Sequence, residues 1–494
     1  MSEKVANIAK NTSYFTIALI LQKVVSFTYF TIIARALLPE ELGRYYFAIS
    51  FTSIFGILID IGLANYLTRE VARPDSVVNN NDGSIEAKKS RSGRLLGAVM
   101  AIKIPTSIIS LLIVIASINF LNYPVSTREL VYLSSICMIL DSFTLTLFSV
   151  VRGFHNLLYE SIASIIFQLI VLLTGITVLY FKLGLLWLMV ALVAASTFNF
   201  IYSSILVKYK FKLNIHPIFD KDLIKKIIII SVPFALYGIF QRFYTYFDSV
   251  LLTTIAGEKY NGIYQISFKI INALQFLPLA FTATLYPAFS SYWHNNKEQL
   301  SITFERAMNY LVAISLPIIF GVVILADKIV ELFKAKYSDA MLPLQITIVS
   351  VLFSFLAFLV GSLLNASDNQ KKNTQYMAIV MFVSIAMNLV LIPKFNVVGA
   401  SITVLATNML MFLLGIIKVN RILDYKKKKV VIFSLKIIIA CVLMGIVTYL
   451  LKDKINIFIN VIISAFIFVF FTLLSGAIKK ADLASILQSF DRKK

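Results

Sequence analysis

The chain has 494 residues, of which 59% are hydrophobic and only 14% charged, and its mean hydropathy of +0.84 describes a protein whose solvent is lipid. A formal net charge of +21 would suggest nucleic acid in a soluble protein, but basic residues held in the cytoplasmic connections of a membrane protein account for it, and nucleic acid is not a partner. Cys137 and Cys441 both fall within apolar runs and His155, His216 and His294 stand in separate connections, so neither a disulfide framework nor a metal centre is expected.

About 20 consecutive apolar residues suffice to cross a bilayer as a helix. Fourteen such spans are predicted, near 12–36, 44–68, 95–120, 130–151, 160–181, 185–207, 227–255, 262–290, 304–326, 341–364, 374–392, 397–417, 430–451 and 455–478. Met1–Asn11 is short and polar and the first apolar run is full length, so no cleavable signal peptide is expected. That run holds Lys23 at its centre and Arg35 at its end. Pro39 then breaks the helix, and Glu40 and Glu41 suit the start of the next. Asp60, near the end of the second span, is expected to pair with Arg69. The polar stretch from Arg69 to Arg94 reads as a connection, with a flexible turn at Asn79-Asn80-Asn81-Asp82-Gly83.

The third span holds Lys103 and the fourth Asp141. After the basic connection Lys208–Lys226, the seventh span carries Arg242 among Phe240, Phe243, Tyr244, Tyr246 and Phe247, with Asp248 toward its end; the eighth carries Lys269. Pro105, Pro233, Pro278, Pro287 and Pro317 mark kinks or hinges. Lys436 is close enough to the start of the thirteenth span to snorkel to the headgroups. In the tail, Leu483, Ile486, Leu487 and Phe490 recur at helical spacing between basic flanks, which suits a short helix on the membrane face. Most of the 46 lysines and arginines fall in every second connection. This places both termini in the cytoplasm.

The predicted fold is an all-α polytopic membrane protein of about fourteen transmembrane helices. Residues 1–207 form an N-lobe, 208–226 a cytoplasmic linker, 227–420 a C-lobe, 421–478 two further spans and 479–494 a cytoplasmic tail. A weak parallel repeat relates the six-helix lobes: Phe15 falls on Phe234, Gln22-Lys23 on Gln241-Arg242, Gly43 on Gly262, and Tyr45 on Tyr264. Chance alignment of two apolar segments is the other reading. In transporters built this way the substrate site lies at the repeat interface near the midplane.

Charges inside spans are costly and usually face a wet cavity. Here Lys23, Lys103, Arg242, Lys269 and Lys436 outnumber Asp60, Asp141 and Asp248. A metal-cation pore would invert that ratio, whereas lysine and arginine suit a phosphate-bearing substrate. Lys23, Arg242, Lys103 and Lys269 are therefore candidate substrate-binding cations, with snorkelling the alternative for Lys103. Asp141 is a structural partner for one of them or a proton or cation carrier, and Asp248 pairs with Lys269 or serves the same role. Arg35 anchors at the outer headgroups or lines the external mouth. No phosphate loop of the form G-x-x-x-x-G-K-[ST] occurs, so any energy must come from an ion gradient, for example of H+ or Na+, from a substrate gradient, or from a partner. No catalytic constellation or cofactor site is predicted.

Ala34-Arg35-Ala36-Leu37-Leu38-Pro39-Glu40-Glu41-Leu42-Gly43-Arg44-Tyr45-Tyr46-Phe47-Ala48 and Asp60-Ile61-Gly62-Leu63-Ala64-Asn65-Tyr66-Leu67-Thr68-Arg69-Glu70 resemble the first hairpin of the bacterial polysaccharide and O-antigen flippases of the multidrug/oligosaccharidyl-lipid/polysaccharide superfamily. Leu391–Ala400 and Leu285-Tyr286-Pro287 are similar to later segments of that family. The resemblance implies two lobes around a cationic cavity in the plasma membrane of a bacterium or archaeon. It implies alternating access that moves an undecaprenyl-pyrophosphate-linked oligosaccharide to the outer leaflet, with membrane lipids and polysaccharide polymerase machinery as partners. The rival readings are an ion-coupled drug or metabolite antiporter of the same superfamily and a membrane-embedded glycosyltransferase or polymerase.

Overall fold

The computed structural model describes residues 2–73 and 83–477. The predicted tail helix over Leu483–Phe490 and most of the Asn79–Gly83 turn lie outside the described residues. Among the described residues every regular element is helical. Twelve helical stretches are long and apolar enough to cross a membrane, and the bent pair Lys221–Val232 and Ala235–Ala256, angled by 57° across the position of Pro233, makes a thirteenth. The chain divides into two compact units, Met1–Gln265 and Ile266–Lys494.

The first unit contains α1 (Ser2–Ala36), α2 (Pro39–Asp60), α3 (Leu63–Ala72), α4 (Gly83–Phe120), α5 (Val125–Gly153), α6 (Leu158–Tyr180), α7 (Leu185–Ile205), α8 (Lys221–Ala256) and the start of α9 (Glu258–Leu274). Helix α2 is its centre and packs on α4, α5 and α8, while α5 also meets α7 and α3 and α1 lies on α6. Helix α2 starts where proline is favoured, in its first turn, and the Glu41 carboxylate accepts the Leu38 amide at 2.8 Å. The second predicted span is broken rather than continuous. Ile61 (φ 26°) and Gly62 (φ 73°) turn the chain between α2 and α3. A Cβ on Gly62 would also come within 2.7 Å of the Ser231 carbonyl of α8, so both the left-handed backbone and the close approach call for glycine.

Near their N-termini α2 and α9 cross still more closely. A Cβ built on Gly43 would fall into the Glu258 carbonyl, and one on Gly262 into the Pro39 carbonyl. These are the two glycines that the repeat places in register, and they face each other. Polar bonds lock the crossing: Asn261 donates to the Gly43 carbonyl at 2.9 Å, and the Glu258 carboxylate accepts from Arg44 Nε at 2.9 Å and Thr127 Oγ1 at 2.7 Å.

The second unit holds the rest of α9 with α10 (Phe276–Asn295), α11 (Lys297–Ile324), α12 (Ala326–Glu331), α13 (Met341–Ala366), α14 (Gln370–Ile422), α15 (Lys427–Leu451) and α16 (Ile457–Leu474). Its core joins Phe289, Phe304, Leu311, Phe355, Leu363 and Cys441. At about 1.5 Å per residue, the 53 residues of α14 would measure about 80 Å, far beyond a hydrocarbon core of about 30 Å. The backbone leaves helical geometry at Asn396 (φ 48°, ψ −124°), three residues after Pro393. That is where the sequence predicts a turn between two spans. Lys436 donates to the Ser475 carbonyl just beyond α16 at 2.9 Å, so its ammonium is met by a helix C-terminus.

Candidate functional site

Small polar residues recur along α2 at Thr52, Gly56 and Asp60, and along α5 at Ser134, Asp141 and Ser142. A spacing of four along α2, and of seven from Ser134 to Asp141 along α5, puts each set on one helical stripe, with Ser142 next to Asp141. The stripes face each other, with the Thr52 and Ser134 hydroxyls 2.7 Å apart. A cavity of about 220 Å³ opens between them, completed by Leu192 of α7 and by Arg242 and Tyr246 of α8. A smaller pocket of about 120 Å³, reaching Asn65 and Gly238, shares Asp60 and Arg242 with it. The first unit thus presents a partly open chamber lined by its own helices.

Two carboxylates line this chamber, and their circumstances differ. Asp60 lies 3.0 Å from Lys103 Nζ, whose side chain is wholly buried. The ammonium also donates to the Ser142 carbonyl at 2.7 Å and to the Ser142 hydroxyl at 2.9 Å. Two of its three donors go to Ser142, and the Asp60 carboxylate meets the charge at ion-pair distance. Lys103 is thus buried against Ser142 as the counter-ion of Asp60. Arg69, the partner expected for Asp60, instead meets Glu70 at 3.0 Å, because the turn at Ile61–Gly62 carries it away on α3.

Asp141 opens into the cavity. Ser196 of α7 lies beside it, and Arg242 is the cation that acts on it. The Arg242 guanidinium rests against α2 where Gly56 leaves room: a Cβ there would stand 3.1 Å from one of its terminal nitrogens. Among the described residues, no carboxylate reaches ion-pair distance of Arg242 and no hydrogen bond engages it. Asp60 and Asp141 balance Lys103 and Arg242, so the cationic excess expected of the membrane interior is not reproduced at this chamber.

The other predicted residues stand elsewhere. Lys23 is half-buried in α1 and is not among the residues lining the cavity, and Arg35 is exposed in the last turn of α1. Asp248 is buried and accepts from the Tyr264 hydroxyl at 3.4 Å. Lys269 belongs to the second unit, half-buried, its Nζ 5.9 Å from the centre of the Phe268 ring. Sequence reasoning missed Gly56, Ser142 and the Thr52–Ser134 contact. The signal available was the polar stripe itself, read at helical period on α2 and α5. Among the described residues no three His, Cys, Asp or Glu side chains are placed to hold a metal ion.

A family model described as Polysaccharide biosynthesis protein matches residues 8–293, and one described as Lipid II flippase MurJ matches residues 261–470. The capsular polysaccharide biosynthesis protein CapF of Staphylococcus aureus is 22% identical over 402 residues, covering 80% of this chain and 95% of that protein. The probable flippase AglR of Haloferax volcanii is 25% identical over 166 residues, covering 33% of this chain and 35% of that one. Among solved structures, the lipid II flippase MurJ in an inward closed conformation superposes with a TM-score of 0.74 at 15% identity, covering 95% of this chain and 99% of the other. At that identity the likeness is one of fold.

Proposed function

The chain belongs to the polysaccharide biosynthesis protein family, lipid-linked oligosaccharide flippases of the multidrug/oligosaccharidyl-lipid/polysaccharide superfamily, and on that premise we propose that it carries an undecaprenyl-pyrophosphate-linked oligosaccharide from the inner to the outer leaflet of a bacterial or archaeal plasma membrane. Glycan hydroxyls and a pyrophosphate do not cross hydrocarbon unaided, since each polar group stripped of its partners costs several kcal/mol. A wet polar path removes that barrier without a chemical step, and no catalytic role is assigned.

The observation that carries this reading is Arg242: a guanidinium lining a partly open chamber with its donors unmet among the described residues. Its planar fork matches phosphate oxygens in pairs. A chamber of about 220 Å³ holds on the order of seven waters at about 30 Å³ each, room for a diphosphate head but not for an oligosaccharide. The glycan passes in a more open state, as alternating access requires. Lys23 and Lys269 are further cations for the path and Arg35 for its outer mouth. Coupling to an H+ or Na+ gradient falls to Asp141 or Asp248. Both termini stand in the cytoplasm, and the polysaccharide polymerase machinery receives the delivered unit outside.

The test is transbilayer movement of a fluorescent undecaprenyl-pyrophosphate oligosaccharide in proteoliposomes. Losing charged hydrogen bonds worth about 1.5–3 kcal/mol, Arg242→Ala should slow movement about 10- to 100-fold. Movement unchanged in Arg242→Ala discards the site. The two carboxylates in the chamber support a second reading, an ion-coupled antiporter. No lipid movement, with gradient-driven uptake of a small soluble substrate, would establish that one instead.

A further inference from the structure

We infer that Asp141 and a bound diphosphate compete for Arg242, so that the chamber takes up a proton at Asp141 as it takes up the anion. This rests on the reading of Arg242 as the anion's ligand. It adds a second ligand, the proton, and a sign to the coupling between the two.

The charges of the chamber divide into committed and uncommitted ones. Asp60 and Lys103 form a closed pair, the ammonium fixed by both oxygens of Ser142. Neither can move to serve Asp141 without leaving a charge unpaired inside the protein. The groups facing Asp141 can be named helix by helix. From α8 come Arg242 and the Tyr246 ring, from α2 the occupied Asp60, and from α5 itself Cys137 one turn away. From α7 comes only the Ser196 hydroxyl, and α4 contributes the committed Lys103. Helix α3 meets α5 farther along, at the Thr68–Ser149 bond, eight residues from Asp141. Arg242 is thus the one cation left to balance Asp141 among the described residues.

The empty chamber holds two carboxylates and two cations: Asp60 is ion-paired with Lys103, while Asp141 shares the cavity with Arg242 without touching it. A diphosphate diester brings two negative charges into the same about 220 Å³. Its oxygens take the guanidinium fork, and Asp141 then faces an anion in place of its cation. Like charges confined at such distances are not both kept ionised. A proton on one Asp141 oxygen neutralises the carboxylate without moving a helix, and the chamber gains one positive charge for the two negative ones. Linkage makes the effect reciprocal: the anion favours the proton, and the proton favours the anion by the same factor. Affinity should rise as pH falls, by at most tenfold per pH unit for a single linked proton.

The probe is a water-soluble short-chain isoprenyl-diphosphate sugar. As a diester it lacks the second ionisation near pH 6 that a phosphate monoester shows, so any pH dependence belongs to the protein. Binding to the full-length protein in nanodiscs is measured by calorimetry from pH 7.5 to 5.5, in buffers of differing ionisation heat. Wild type should bind more tightly as pH falls and take up about one proton. Asp141→Asn should bind with a flat profile, tighter than wild type at pH 7.5, and take up none. Asp141→Glu should keep the slope, which separates titration from a packing defect. A slope unchanged in Asp141→Asn overturns the inference while leaving Arg242 as the ligand. Undiminished binding by Arg242→Ala overturns the reading beneath it, and the inference with it.

Discussion

Removing either partner of the Asp60–Lys103 pair should have unequal consequences, and the inequality can be worked from their surroundings. The Lys103 side chain is 0% exposed and that of Asp60 is 21% exposed. In Asp60→Ala the ammonium keeps its two bonds to Ser142 but no opposite charge and no access to solvent. Breaking a buried pair this way costs about 3–5 kcal/mol. In Lys103→Met the carboxylate is left at the edge of a wet chamber, where water can solvate it, and the cost should be nearer about 1–2 kcal/mol, the desolvation penalty of one polar group incompletely met. The double variant Asp60→Ala/Lys103→Met leaves neither charge and should recover most of what Asp60→Ala loses. The assay is the half-life of monodisperse protein in detergent at fixed elevated temperature, because unfolding of a protein this size is read as a rate. Equal losses in the two single variants, or a double variant no better than Asp60→Ala, would refute the account of Lys103 as a fully committed counter-ion.

Two further outcomes follow from the fold. Gly43→Ala should cost at least the about 1–3 kcal/mol typical of overpacking, since its Cβ meets a backbone carbonyl that no rotamer change can move; loss of the folded peak in size-exclusion chromatography reads it out. At the start of α8, the Arg94 guanidinium bound at 2.6 Å and the Leu223 amide hold the Asp220 carboxyl below the usual aspartate range. A depressed folded value means the cap's stabilisation is complete above the unfolded value of about 3.9 and disappears as pH falls through the lower folded value. Hydrogen exchange in the first turn of α8 should therefore stay slow until below about pH 4, and Arg94→Ala should move that onset upward.

Apolar run length alone located nearly every long apolar helix, because a bilayer imposes one length on every helix and no other solvent does. The turn near Asn396 was legible too, since Pro393 and the polar Lys394 interrupt an otherwise unbroken apolar stretch. The break at Ile61–Gly62 was not. Its neighbours stay apolar on both sides, and the reason for the glycine is a carbonyl on α8 that the sequence places about 170 residues away. That hidden turn also misdirected the pairing of Asp60, for on a continuous helix Arg69 would have been the nearest cation. Position within the apolar runs singled out Lys23, Asp141 and Arg242 as the deepest charges, with Lys103 nearer a run's end. Depth says nothing of azimuth, though, and azimuth decided that Arg242 and Asp141 share a chamber that Lys23 does not line.

The crossing of α2 over α9 leaves these helices with no slack to trade. At an ordinary contact, a methyl gained on one side can be answered by a methyl lost on the other, and two lineages can drift along such compensated pairs. Gly43 and Gly262 are both already the smallest residue there is. Neither has anything left to give up when the other grows. Two helices that meet backbone to backbone in this way hold both positions to one choice, and a side chain on either strikes a carbonyl that cannot yield.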